Sequence, residues 1–346
     1  MSKNISNRIT WIKAILCVLV VYVHCQNTDW FDTASVPWIA KAESTIDTIF
    51  AKTAVSSFFF LSGYLFYRNY ASDKLFDKWK SRLHTLFIPF VIWNLIYYFI
   101  ELFLRNLPLT AGMFDGSVKP FNLREIMIVV FDCKYNIVFW FIQYLIIYIL
   151  FTPIIWLFIR KRHLGFLFVV SIFVLGIIFS YQVLPYWMSY VLPRLQYMSA
   201  YLVGAYCSVH LRDRIEEENI GHIQMLAFAA LGIIIIYIEV FWPSRISFAV
   251  IRLSFGIIVW FVLGKIKFPE AKRWMSFTFY IYAVHHLVAH FGNKMLSLIT
   301  RNMFVGGIMW LVLPFFIIVF CYYTGEFIVR HFSRIASVLG ICRESK

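Results

Sequence analysis

Charge is scarce in this chain. Only 14% of its 346 residues are Asp, Glu, Lys or Arg, where a soluble domain carries about 25%. Acidic residues are the scarcer kind, 18 against 32 basic ones. The six cysteines (Cys17, Cys25, Cys133, Cys207, Cys321, Cys342) form no C-x-x-C pair and show no even spacing, and a disulfide scaffold is excluded. Most lie in apolar runs and read as small buried hydrophobes; whether Cys25 and Cys133 pair is open. There is no P-loop, no dinucleotide fingerprint, no Gly-x-Ser-x-Gly elbow and no H-E-x-x-H pattern. Nor is there a repeat of 20–50 residues or a Pro/Ser/Gly-rich linker, so 1–346 reads as a single domain.

What fills the chain is apolar. The set AVILMFWYC makes up 61% of it, with 37 Phe, 20 Tyr and 12 Trp, and mean hydropathy is +0.74. An ordinary soluble enzyme and a disordered chain are both excluded, and an integral membrane protein remains. The net charge of +14 would suggest nucleic acid in a soluble protein. Here topogenic Lys and Arg explain it, so no nucleic-acid partner is expected.

A span needs about 20 mostly apolar residues. Ten segments qualify: 9–26, 47–67, 84–104, 137–159, 165–183, 189–209, 222–242, 246–264, 275–296 and 304–329. The sixth and ninth are the weakest, interrupted by Pro193 and Arg194 and by His285, His286 and His290. No small-residue cleavage site follows Ala14–Val23, so the first is read as a retained helix. With the N-terminus in the cytoplasm, 20 of the 32 Lys and Arg fall on inner segments and 8 on outer ones. That bias places both termini inside. The expected fold is an all-α polytopic bundle of about ten transmembrane helices, with Phe121–Phe131 as a short interfacial helix.

Charged groups within spans cost about 2.5–3.5 kcal/mol each on insertion scales, so each is a candidate functional residue. In the first span Lys13 and His24 stand eleven residues apart. At about 100° per residue they share one helix face, separated by about 16 Å of rise. Lys13 has an ordinary reading as a snorkelling side chain. His24 has one as a hydrogen-bonded bundle histidine, beside its reading as a proton carrier. Lys52, Glu101, Glu239, Arg194, Arg252 and the histidines of 285–290 supply further polar groups. Arg194 and Arg252 lie deeper than the rest and call for an internal anion or hydroxyl partner. His286 and His290 have i,i+4 spacing, yet no carboxylate or Cys joins them, and no metal site is expected. Cys17 shares the face of His24, but a thiol with no cationic neighbour is inert.

Several segments together resemble the membrane-bound acyltransferase-3 family, especially its sugar O-acetyltransferases. Lys13-x10-His24 is similar to that family's basic-x10-His first span, where Arg is the commoner basic residue. Phe58-Phe59-Phe60-Leu61-Ser62-Gly63-Tyr64 matches its Phe-Phe-x-x-Ser-Gly-aromatic segment. Lys80-Ser81-Arg82-Leu83, with Ile88-Pro89-Phe90 and Trp93, resembles its approach to the third span. Trp140-Phe141 with Pro153, Arg194 with Tyr201 and Gly204-Ala205-Tyr206, and Ser276-Phe277 with Tyr280-Ile281-Tyr282-x-x-His285 follow in the family's order. Gln143-Tyr144 departs from a more polar pair.

The resemblance implies transfer of an acyl group, usually acetyl, from cytoplasmic acyl-CoA to a sugar hydroxyl across a bacterial inner membrane. No bound cofactor is then expected: acyl-CoA, usually acetyl-CoA, is a co-substrate, and the remaining partners are a sugar or polysaccharide acceptor and membrane lipid. His24 is expected as general base, with Arg194 and His285 as catalytic partners. Lys13, Lys80 and Arg82 are expected to hold the donor, and Arg252, Lys52 and Glu239 to line the acceptor path. Ser62 and Gly63 read as a structural motif permitting close helix approach. A transporter or flippase of a lipid-linked sugar is the competing class, since many spans with internal charges serve it equally well.

Overall fold

A computed structural model describes residues 2–106, 122–180, 186–217 and 220–341, leaving aside the side chains of 186–194. All regular structure among the described residues is helical, with one isolated bridge joining Asp32 and Asn302. The contacts divide the chain into two compact units.

The first unit comprises Met1–Ala71 and Thr152–Tyr322. It contains α1 (Lys3–His24), α2 (Pro37–Tyr67), α7 (Thr152–Ile159), α8 (Arg162–Ser180), α9 (Tyr186–His210), the short α10 (Arg212–Ile215), α11 (His222–Phe241), α12 (Arg245–Gly264), α13 (Thr278–Ile299) and most of α14 (Met303–His331). Local chemistry starts several of them. Ser2 caps α1 by accepting from the Ile5 amide at 3.3 Å. Pro37 opens α2, where its missing N–H costs nothing. Ser244 and Ser247 cap the start of α12 reciprocally.

Small residues then set how closely these helices meet. A Cβ on Gly63 of α2 would stand 2.0 Å from the Tyr201 carbonyl oxygen of α9. One on Gly204 of α9 would stand 2.0 Å from the Phe60 carbonyl oxygen of α2. The two backbones touch, as small-residue pairs allow inside membranes. Beside them α11 packs on α12 through Ile235, Ile251, Phe255 and Ile258, and α8 hangs on α9 by the Gln196 amide, which donates to the Gly176 carbonyl at 3.0 Å. The outward faces of α8, α11 and α14 carry exposed Leu167, Val174, Ile233, Ile234, Phe315 and Phe316. Water would not tolerate such a surface, and acyl chains suit it.

The second unit comprises Ser72–Phe151 and Tyr323–Lys346. It holds α3 (Leu75–Arg82), a π-helical turn at Leu83–Phe87, α4 (Ile88–Asn106), α5 (Leu123–Phe131), α6 (Trp140–Leu150) and α15 (Ser333–Val338). The indole of Trp79 donates to the Ile149 carbonyl at 3.0 Å, and that of Trp93 to the Leu339 carbonyl at 3.1 Å. Glu125, buried on α5, pairs with Lys134. The helix expected at Phe121–Phe131 is present from Leu123; Phe121 itself lies outside the described residues.

Each of the ten expected segments contains helix, but among the described residues seven helical segments are long and apolar enough to cross a membrane, or eight if Ile137–Leu150 and Thr152–Ile159 count as one span. The shortfall has a physical cause. Helices α9 and α13 are long enough, at 25 and 22 residues, but Pro193, Arg194 and Gln196 dilute the first. His285, His286, His290, Asn293 and Lys294 dilute the second. Both are diluted by the residues that make this chain chemically interesting.

Candidate active site

His24 ends α1, and α13 brings two more imidazoles to it. Its ring lies 5.0 Å from that of His285 and 5.4 Å from that of His286, centroid to centroid. His290, one turn further along α13, stands edge-on to Trp30 at 5.0 Å. His285 is fully buried. Its Nδ1 sits 2.7 Å from the Tyr282 carbonyl and 3.2 Å from that of Ile281. Carbonyls only accept, so Nδ1 carries the proton and the lone pair belongs to Nε2. Nε2 has no hydrogen-bond partner among the described residues. A fixed tautomer with a buried basic nitrogen is what a proton-handling site requires.

The segment after His24 is held from several helices. The Asn293 side chain of α13 donates to the carbonyls of Cys25 and Gln26 at 3.1 and 3.3 Å. The Asn27 amide donates to Glu43 of α2 at 2.6 Å, while its side chain donates to the Gly306 carbonyl of α14 at 2.8 Å. One turn beyond Gly306, the Trp310 indole donates to Asp47 at 3.2 Å. Glu43, Asp47, Asn27 and Asn293 are all buried, and the sequence reading passed over all four. Their signal was present in the i,i+4 acids of α2, which have no basic residue between them.

Lys13 lies half-buried on α1, eleven residues before His24 on the same face. Cys17, between them, directs its thiol toward the Thr278 carbonyl at 3.5 Å. Arg194 is on α9, and its side chain lies outside the described residues. Lys80 and Arg82 stand on α3 in the second unit. Cys25 and Cys133 are both buried, and no disulfide joins them; Cys342 lies outside the described residues. No group of three or more metal-ligating side chains converges among the described residues.

A second polar cluster joins α2, α11 and α12. Lys52 forms an ion pair with Glu239, whose other oxygen accepts from the Ser247 hydroxyl at 2.5 Å. Lys52 also lies over the Phe248 ring at 4.7 Å. Buried Arg252 covers the same ring at 3.7 Å and Tyr197 at 4.3 Å, so aromatic faces meet this guanidinium. Lys52 and Glu239 are 187 residues apart, a pairing that spacing alone does not reveal. Glu101 instead pairs locally with Arg105 at 2.8 Å.

The sequence model of the acyltransferase domain family Acyl_transf_3 matches residues 6–323. The chain belongs to the acyltransferase-3 family. The match spans the first helix with His24 and the α13 histidines, and with the apolar helices it makes this a multi-pass membrane protein of an acyltransferase family. No curated protein and no solved structure matches the chain.

Proposed function

We propose that this acyltransferase-3 protein moves an acetyl or other short acyl group from acyl-CoA to a hydroxyl of a cell-envelope or exported sugar. The observation that carries the reading is the imidazole cluster of His24, His285 and His286 at the end of a helix that bears Lys13 on the same face. In this reading His24 takes the proton of the acceptor hydroxyl as that oxygen attacks the thioester carbonyl. The tetrahedral intermediate collapses with cleavage of the C–S bond, and the proton on His24 passes to the departing thiolate. The products are the O-acyl sugar and CoA thiol. His285, its tautomer fixed through Nδ1, is assigned to supply a second basic nitrogen, Nε2, on a ring 5.0 Å from that of His24. Arg194 is assigned to the developing oxyanion.

Lys13 is assigned to the donor. The roughly 16 Å of helix between it and His24 suits an extended pantetheine arm with anionic groups at one end and the thioester at the other. The proposed setting is a bacterial inner membrane, with both termini cytoplasmic. The basic bias of the inner loops supports this, and it puts Lys13 on the side where acyl-CoA is made.

The test uses purified protein with isotopically labelled acetyl-CoA, comparing wild type with His24→Ala. CoA binding in both, with slow thioester turnover only in wild type, is expected. No CoA binding by wild type would favour a glycan transporter instead.

A further inference from the structure

A cavity of about 320 Å³ opens between α2, α11 and α12 in the first unit. This is the lower end of the volume range of small-molecule sites. One wall is a polar stripe of α2, in which Thr45, Thr48 and Lys52 recur at helical spacing. The other is apolar, Ile236 and Ile251, interrupted by Glu239. Lys52 and Glu239 stand at this wall as an ion pair, a donor group and an acceptor group side by side. Ionisable side chains within membrane helices mark substrate paths when they face a cavity. Hydroxyls, an ammonium and a carboxylate opposite aliphatic carbon match the two aspects of a sugar ring, hydroxyl edge and C–H face.

The cavity is not at the histidines. Across α2, its other face (Glu43, Asp47 and Phe50) meets the end of α1: Glu43 through the Asn27 amide, and Phe50 through the Tyr22 ring at 6.1 Å. A helix with its side chains is about 10–12 Å across, wider than one sugar ring.

We propose that this cavity is an acceptor subsite for a sugar unit remote from the one acylated, so that the acceptor is an oligosaccharide or longer glycan. The proposal rests on the acyl-transfer reading above and specifies its acceptor. A glycan reaching round the first turns of α2 occupies the cavity and the histidine cluster together, which a monosaccharide cannot do. Binding energy gained at the cavity then lowers KM for the longer acceptor and raises its kcat/KM.

The experiment measures acyl transfer from labelled acetyl-CoA to envelope glycan released from the producing cell by mild acid and sized into monosaccharide and oligosaccharide fractions. Wild type is expected to prefer the oligosaccharides by tenfold or more in kcat/KM. Thr48→Trp, which fills the cavity, is expected to collapse that preference through KM, with Leu231→Trp on an exposed face of α11 as the control that retains it. If Thr48→Trp does not fold, Thr45→Val with Thr48→Val, which removes both hydroxyls of the stripe and leaves the Lys52–Glu239 pair intact, replaces it. Equal use of both fractions by wild type, or a preference that survives in the cavity variants, overturns the subsite and leaves acyl transfer standing. No transfer to either fraction by wild type overturns the acyl-transfer reading, and the subsite with it.

Discussion

Gly63 and Gly204 form a reciprocal contact between α2 and α9, each admitting the other helix's backbone where a Cβ would lie 2.0 Å from a carbonyl oxygen. No rotamer change relieves such a clash, because the obstacle is backbone. Gly63→Leu and Gly204→Leu are therefore expected to abolish a monodisperse peak in fluorescence-detected gel filtration. Core overpacking ordinarily costs about 1–3 kcal/mol, and these sites exceed that case. Neighbouring Ser62→Ala should leave the elution profile and melting temperature nearly unchanged. The reverse order would return Ser62 to consideration as a nucleophile.

His285 offers a sharper test of the site. Asn in its place keeps a side-chain amide donor near the Tyr282 carbonyl but removes the basic Nε2. His285→Asn should lower kcat at least tenfold while leaving KM for acyl-CoA within twofold. A KM effect with kcat intact would move His285 from proton handling to donor binding.

The Lys52–Glu239 pair lies largely out of solvent. Removing one partner of such a pair typically costs about 3–5 kcal/mol, because the other charge is stranded. Lys52→Met alone should lower the thermal midpoint in detergent markedly, and Lys52→Met with Glu239→Gln should recover most of the loss. Equal midpoints for the single and double variants would show that the two do not interact.

Outside the membrane helices, Arg68 grips Glu216 with two hydrogen bonds at 2.5 and 2.9 Å, and the Tyr64 hydroxyl adds a third at 2.8 Å. Arg68 thereby holds the Glu216 carboxyl below its usual value of 4.5, with Tyr64 helping. A carboxyl depressed by folding stabilises the fold above its unfolded value and loses that contribution as pH falls through the folded one. Thermal stability should therefore decline below about pH 4.5. Glu216→Gln should flatten that part of the profile; an unchanged acid slope would show that other carboxyls set it.

The sequence exposed what repeats along one helix. Apolar runs located helix in all ten segments, though not ten spans, and the eleven-residue interval gave the Lys13–His24 face, because both are properties of a single element. Pairings between elements were hidden. Lys52 was legible as a charge in a span, but Glu239 as its partner depends on how α2 and α11 lie together. Asn293 and Glu43, which hold the turn after His24, looked like ordinary polar residues until three helices brought them to it. The span count differs for another reason, since the polar residues within α9 and α13 lower the hydropathy of those two helices.

The reciprocal glycine contact also governs motion. Sliding α2 along α9 would drive each backbone carbonyl into the next residue's side chain, so these two helices move as one rod. Gly256 of α12 lets the Phe60 Cβ of α2 approach in the same way, so α12 is keyed to that rod as well.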